Sequence, residues 1–139
     1  GDNLFLDVLY PDASFAGQDL EDTNTASIVA RLTDGEVDYL FTGDAPVEVE
    51  ERLAADNGSL LRSEVLKVGH HGSNTASSDI WLDAAAPAVA VIQVGKDNSY
   101  GHPSLTILNR LKRRQIPVLR TDELGDIKLV SDGEFVELK

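Results

Sequence analysis

The chain has 139 residues and a formal net charge of −12, from 24 acidic and 12 basic residues, with 42% hydrophobic content. This length suits one domain, or part of one, with a real core. The negative surface repels polyanions at long range, which excludes general nucleic-acid coating but not a phosphodiester held through bound cations. Cysteine is absent, so any metal site must be built from His, Asp, Glu or Asn, a donor set suited to zinc, manganese or iron.

No apolar run is long enough for a transmembrane helix and no basic-plus-apolar leader opens the chain, which reads as soluble and globular. It begins at Gly1 and contains no Met, and so reads as an excised or processed piece. Residues 4–10 read as a buried strand. Residues 11–24 have no periodicity and read as a long loop, of the kind that is often functional or mobile. Residues 26–32 read as a strand, Asp34-Gly35 as a hairpin turn and residues 37–41 as the returning strand. Asp44 precedes a helical run over 45–55, with Pro46 in its first turn, Val49 and Leu53 sharing a face, and Asn57-Gly58 as the stop.

Residues 64–68 read as the next strand, with Val65, Leu66 and Val68 apolar. Gly69 ends it, and His70, His71, Gly72 and Ser73 follow. Ser77, Ser78 or Asp79 is placed to cap a short helix whose buried side is Ile80, Trp81, Ala84 and Ala85. Residues 88–94 are nearly continuously apolar, as in a strand covered on both faces. Residues 95–103 form a turn-rich loop. Residues 104–114 read as an amphipathic helix with Leu105, Leu108 and Leu111 on one side, and Arg110, Lys112, Arg113 and Arg114 as favourably placed cations at its C-terminus. Short strands are expected at 118–121, 126–130 and 135–138. The whole, 1–139, reads as a single mixed α/β unit without repeats or linkers.

Asp44, His70, His71 and His102 all fall just past apolar strands and just before helices. Strands that share a direction gather them at one end of a sheet, where open α/β sheets keep their sites. Asp44 reads either as a metal-bridging carboxylate or as a helix N-cap. His70 and His71 suit ligation or proton transfer to a leaving group, and otherwise read as solvated loop residues. His102, before Pro103, reads as held at a helix N-terminus, which keeps a nitrogen lone pair free for a metal; its bland reading is a surface turn.

The strings TGD (42–44), LKVGHHGSNTASS (66–78), SYGHP (99–103) and RTDELGDI (120–127), with LDVLYPD at the start and NTASIVARL at 24–32, resemble the metallo-β-lactamase-fold domain of ComEC-type DNA-internalisation competence proteins. The resemblance covers nearly the whole chain. It implies an αββα sandwich, of which this chain is the C-terminal half, and a dinuclear site at one edge that hydrolyses phosphodiesters during DNA uptake. It further implies metal ligation by Asp44 and His102, substrate contact and leaving-group assistance by His70 and His71, and substrate contact by Ser73. Asn24 falls where many relatives carry a metal-binding His; as a weaker, neutral ligand it is grouped with Ser73 in contacting substrate.

The signature His-x-His-x-Asp-His is absent, and no His precedes Asp44. The divalent metal site, for manganese or zinc, is therefore expected to be incomplete here. The chain is expected to lack the N-terminal half of its domain, and to self-associate or to have a loosely ordered N-terminal third. In a ComEC-type parent it would lie on the outer face of the cytoplasmic membrane. The competing readings are a non-catalytic structural or interaction module that has lost its metals, and a hydrolase of small phosphoesters, towards which the −12 charge leans.

Overall fold

The computed structural model describes residues 4–139. Its centre is a six-stranded mixed sheet in the order β1-β2-β3-β4-β5-β6, formed by Leu4–Tyr10, Val29–Asp34, Val37–Phe41, Val65–Lys67, Val89–Ile92 and Val118–Arg120. β1, β2 and β3 pair antiparallel, and β3 to β6 all run parallel. Three of the helices, α1 (Val47–Asn57), α2 (Asp79–Ala85) and α3 (Leu105–Arg113), make the crossovers between parallel neighbours. A one-turn helix, α4 (Thr121–Leu124), follows β6, and a two-stranded hairpin, β7 (Leu129–Ser131) and β8 (Val136–Leu138), ends the chain. The mixed α/β class read from the sequence is the class observed. No helix among the described residues is long and apolar enough to cross a membrane.

Strand pleating decides where the core lies. Leu40, Leu66 and Ala90 face one another across β3, β4 and β5, on the sheet face that the helices cover. They join one buried cluster with Val49 and Leu53 of α1, Trp81, Leu82 and Ala85 of α2, and Ile107 and Leu111 of α3. Fully burying a side chain of this size contributes roughly 1.5–3 kcal/mol. The opposite face carries Tyr39, Phe41, Val65, Lys67, Val91 and Gln93. They line an open groove of about 630 Å³, bounded at one side by residues 126–131. The β7–β8 hairpin is latched there by Glu36 N–H donating to the Gly133 carbonyl at 2.7 Å. Gly35, at φ +62°, is required at this latch: a Cβ would stand 2.3 Å from the Gly133 oxygen.

Several expectations shift. The strand expected from residue 26 starts at Val29, because Asp22 accepts the Asn24 N–H and turns Thr23–Ala26 into a 3₁₀ turn. α1 starts two residues later than expected, with Pro46 as its N-cap and the Val47 N–H donating to the Thr75 carbonyl. α1 ends at Asn57 with Gly58 as its C-cap, as expected, and a 3₁₀ turn, Gly58–Leu60, follows directly. On α2 the buried side is Trp81, Leu82 and Ala85, while Ile80 is 55% exposed. On α3, Ile107 and Leu111 are buried and Leu105 is exposed. Ala88–Val94 is not covered equally on both sides: Ala90 and Ile92 are buried, Val89 and Val91 only in part. The segment after β6 is helical where a turn was expected, and β7 and β8 are shorter than expected.

The loop 11–24 is tied down rather than free. The Tyr10 hydroxyl donates to the Thr25 carbonyl at 2.6 Å, Phe15 packs edge-on against Tyr10, and Arg52 of α1 pairs with Asp12. β1 contrasts with it. It pairs only with β2, and Leu4, Phe5, Leu6 and Val8 are 58–64% exposed on its alternating faces. An apolar strand at a free edge invites pairing with another chain. The 139-residue chain is expected to self-associate as its concentration rises in sedimentation velocity, and Leu6→Lys to shift it towards monomer. A wild-type chain that stays monomeric throughout would count against this.

Candidate functional site

The parallel run β3 to β6 places its outgoing loops along one edge of the sheet. Thr42-Gly43-Asp44 leaves β3, Gly69–Gly72 leaves β4, and the loop ending in His102 leaves β5. The antiparallel β2 starts at the same edge, which brings Ser27 there; its hydroxyl accepts the Asp44 N–H at 3.3 Å. Gly43 is at φ +54°, and a Cβ there would stand 3.1 Å from the Ile28 carbonyl oxygen and 3.2 Å from the Ser27 Cβ.

His70 and His71 are both left-handed, at φ 47° and 53°. Such a conformation costs a non-glycine residue on the order of 1–2 kcal/mol and persists only where surrounding bonds hold it. The holding bonds are present. The His70 N–H donates to the Gly43 carbonyl at 3.0 Å, and the Ser73 N–H to the His70 carbonyl at 2.8 Å. The consecutive turns send the two rings to different partners. His70 Nδ1 lies 3.2 Å from the Thr75 hydroxyl. His71 Nδ1 lies 2.7 Å from the Gln93 carbonyl, which only accepts, so Nδ1 carries the proton. His71 Nε2 is then free to face Asp44 Oδ1, 3.8 Å away.

His102 completes the group. Its ring meets His70 edge-on, centroids 6.1 Å apart, and lies nearly parallel to Tyr100 at 5.9 Å. Burial lowers its pKa, and charge on His70 and His71 lowers it further. Its position differs from the expected one: Ser104, not His102, caps α3, its hydroxyl accepting the Ile107 N–H. Asn98 fixes His102 from both sides, donating to its carbonyl at 2.8 Å and accepting its N–H at 3.0 Å.

The remaining candidates lie apart from these rings. Ser73 is buried, and its hydroxyl bonds Thr75, bracing the loop that holds His70. Asn24 is in the 3₁₀ turn before Ser27, and among the described residues no hydrogen bond joins its side chain to Asp44 or the histidines. The Asp44 carboxylate and neutral imidazoles are chemically apt for zinc or manganese. In number they fall short: among the described residues no three His, Asp or Glu side chains converge as a metal cage would. Within this chain the site consists of ring pairs and one carboxylate. Lys67 lines the groove nearby; burial lowers its pKa, against the opposing effect of the Asp44 charge.

Glu50 is the residue that sequence reasoning missed. It has no exposed surface, and its two oxygens accept the Ser77 and Ser78 N–H groups at 2.7 and 2.9 Å. Arg110 of α3 donates to the Ser77 carbonyl at 3.0 Å from the other side. The strand-to-helix loop is thus gripped between α1 and α3, directly beneath Gly69, whose Cα side faces Glu50 and Thr42. A signal was available: Glu50 adjoins Val49 and lies three residues before Leu53, on the buried stripe of α1. The other cations of this helix end, Arg113 and Arg114, pair with Asp79 of α2, and Arg114 also reaches Asp83.

Burial pushes the Glu50 carboxyl up from 4.5 to about 7, against the Ser78 and Ser77 N–H groups and the Arg110 charge, with Glu51 adding to the rise. The folded chain therefore holds this proton more tightly than the unfolded one. Glu50's contribution to stability is greatest below pH 4.5 and falls as pH rises to about 7, in total by on the order of 3 kcal/mol. Urea unfolding at pH 5 and pH 8 is expected to show this decline. Glu50→Gln should flatten it while lowering stability at pH 5, because one amide nitrogen would face a backbone N–H. An undiminished decline in the variant would exclude Glu50 as its source.

Gly72 joins the two histidine loops. It is at φ +81°, a Cβ would stand 2.7 Å from the Pro103 Cβ, and its carbonyl accepts the Ser104 N–H at 2.9 Å. Gly72→Ala is expected to cost about 1–3 kcal/mol in urea unfolding. It should also shift the His102 ring resonances in NMR spectra.

No protein-family model matches the chain. It is 42% identical over 107 residues to the competence protein ComA of Neisseria gonorrhoeae, a match covering 77% of this chain and 16% of that protein. It is 35% identical over 126 residues to the ComE operon protein 3 of Bacillus subtilis, covering 91% of this chain and 16% of that protein. It is 35% identical over 106 residues to the recombination protein 2 of Haemophilus influenzae, covering 76% and 13%. The chain thus matches 13–16% of the length of these relatives.

Proposed function

We propose, from relatives that support a competence-protein family, that this chain acts in competence as part of a metal-dependent phosphodiester hydrolase linked to DNA uptake. In this reading it is the ComEC-type, metallo-β-lactamase-like portion of a longer protein. The single observation that supports it is the gathering of Asp44, His70, His71 and His102 at one edge of the sheet, with His71 Nε2 directed at Asp44. Asp44 and His102 would hold a divalent cation together with ligands from a preceding segment. When bound, such a cation supplies an activated water and charge stabilisation.

What the chain's own residues do follows from their bonds. His71 is oriented by the Gln93 carbonyl, so when protonated it presents the Nε2 proton to a leaving oxygen at the open edge. His70, held through Thr75, is placed to donate to a phosphoryl oxygen. The groove over Tyr39, Phe41, Val65 and Val91 and the bare apolar β1 are where the rest of an αββα sandwich would pack.

Two observations support other readings. The −12 charge favours a small phosphoester over DNA. The lack of three converging ligands among the described residues favours a scaffold role for the isolated chain. One experiment addresses all three. A longer protein that includes the preceding segment is assayed with bis-nitrophenyl phosphate, a nucleotide ester and single-stranded DNA, each with manganese, zinc or magnesium. Cleavage of DNA, lowered about 10²–10⁴-fold in kcat by His71→Ala, is the expected result. Turnover of the nucleotide ester alone selects the small-ester reading. No cleavage with any metal refutes the hydrolase.

A further inference from the structure

Tyr100 is the part of the SYGHP loop that the proposed chemistry leaves unused. The residue is 81% exposed, yet its ring is stacked on His102, with centroids 5.9 Å apart and planes 16° from parallel. His102 meets His70 edge-on in turn. Three aromatic rings therefore run from solvent to the strand edge where Asp44 and His71 lie.

The loop that carries Tyr100 is braced. The Asn98 amide donates to the carbonyls of Gly95 and His102, and its oxygen accepts the His102 N–H. The Ser104 N–H, just beyond, is bonded to Gly72. A large aromatic ring this exposed has no folding role that its burial would explain. Its inner face rests on a ring of the site and its outer face is open to solvent.

Resting on the reading of this edge as a phosphodiester site, we propose that Tyr100 is a stacking platform for an unpaired nucleobase whose phosphate lies at His70 and His71. The ligand class is single-stranded nucleic acid. Bases inside a duplex already stack on one another and cannot reach such a ring, whereas a single strand presents a free π-face at every nucleotide. Stacking also suits the charge of this chain. It is short-range and acts between neutral rings, so a net charge of −12 does not oppose it as it opposes phosphate contacts.

The test is equilibrium binding of the 139-residue chain to a labelled hexathymidylate and to an abasic strand of equal length, in the absence of metal. Wild type is expected to prefer the base-bearing strand about 5- to 100-fold. Tyr100→Ala should remove that preference and leave abasic binding unchanged, while Tyr100→Phe keeps it. Raising the salt screens the backbone charge that the two strands share, so it should shift the binding of both alike and preserve their ratio. No binding to either strand, equal binding of both by wild type, or an undiminished preference in Tyr100→Ala would each overturn the proposal. The combined His70→Ala and His71→Ala variant separates the two readings. If it binds both strands as wild type does while Tyr100→Ala still loses the preference, stacking stands and phosphate handling by the histidines falls.

Discussion

Four strands running in one direction oblige every chain segment that leaves them to leave at the same edge. That constraint underlies the rest of this molecule. β3, β4 and β5 are each only three to five residues long, and their crossovers return through helices packed on a single sheet face. The three outgoing loops are therefore brought side by side, and the bonds from His70 N–H to Gly43 and from Ser104 N–H to Gly72 then join them. Asp44, His70, His71 and His102 become neighbours through strand direction, although 58 positions separate the first from the last.

Nearness is not yet order, and the ordering comes from beneath. The Glu50 carboxylate, sealed from water, accepts two successive N–H groups of the loop that follows the histidines, and Arg110 holds the same loop by a carbonyl. Removing one partner of such a buried set leaves a desolvated polar group unpaired, which generally costs more than the bond itself contributes. The left-handed His70 and His71 draw on this rigidity. Their strained backbone is maintained because the residues on both sides are fixed, to Gly43 on one and within the Ser73–Thr75 turn on the other. Single left-handed residues also occur at Ser77, Ala86 and Gln115, but only His70 and His71 adopt this conformation in succession, and strain maintained at a polar edge marks where a site would be expected.

Much of this was legible in the residues. Gly and Asp punctuation located β2, β3 and the closing hairpin, the cap of α2 was narrowed to Ser77, Ser78 or Asp79, of which Ser78 fills it, and the polar strings after each apolar strand pointed to one edge. What was illegible was long-range. Ile80 and Leu105 fit a helical apolar stripe, but the core-facing sides of the two helices are set by Trp81, Leu82 and Ala85 and by Ile107 and Leu111, and both residues lie off those sides in solvent. Residues 26–28 look like strand until the Asp22 carboxylate captures the Asn24 N–H. Glu50 looks like one more acidic residue on an acidic helix, and only the packing of α1 under the 69–78 loop gives it two partners. Each miss concerns which groups tertiary contacts claim, and local pattern does not carry that.

The hydrogen bond that sets the His71 tautomer has a consequence of its own. Its acceptor is the main-chain carbonyl of Gln93, not the carboxylate that so often orients a histidine. Every amino acid supplies that carbonyl, so genetic drift at position 93 leaves the orientation of His71 intact. A carboxylate partner would be erased by a single codon change. Here the vulnerability moves from one side chain to the alignment of β4 with β5, which many residues jointly maintain. The imidazole's proton is thereby placed under the protection of the fold as a whole.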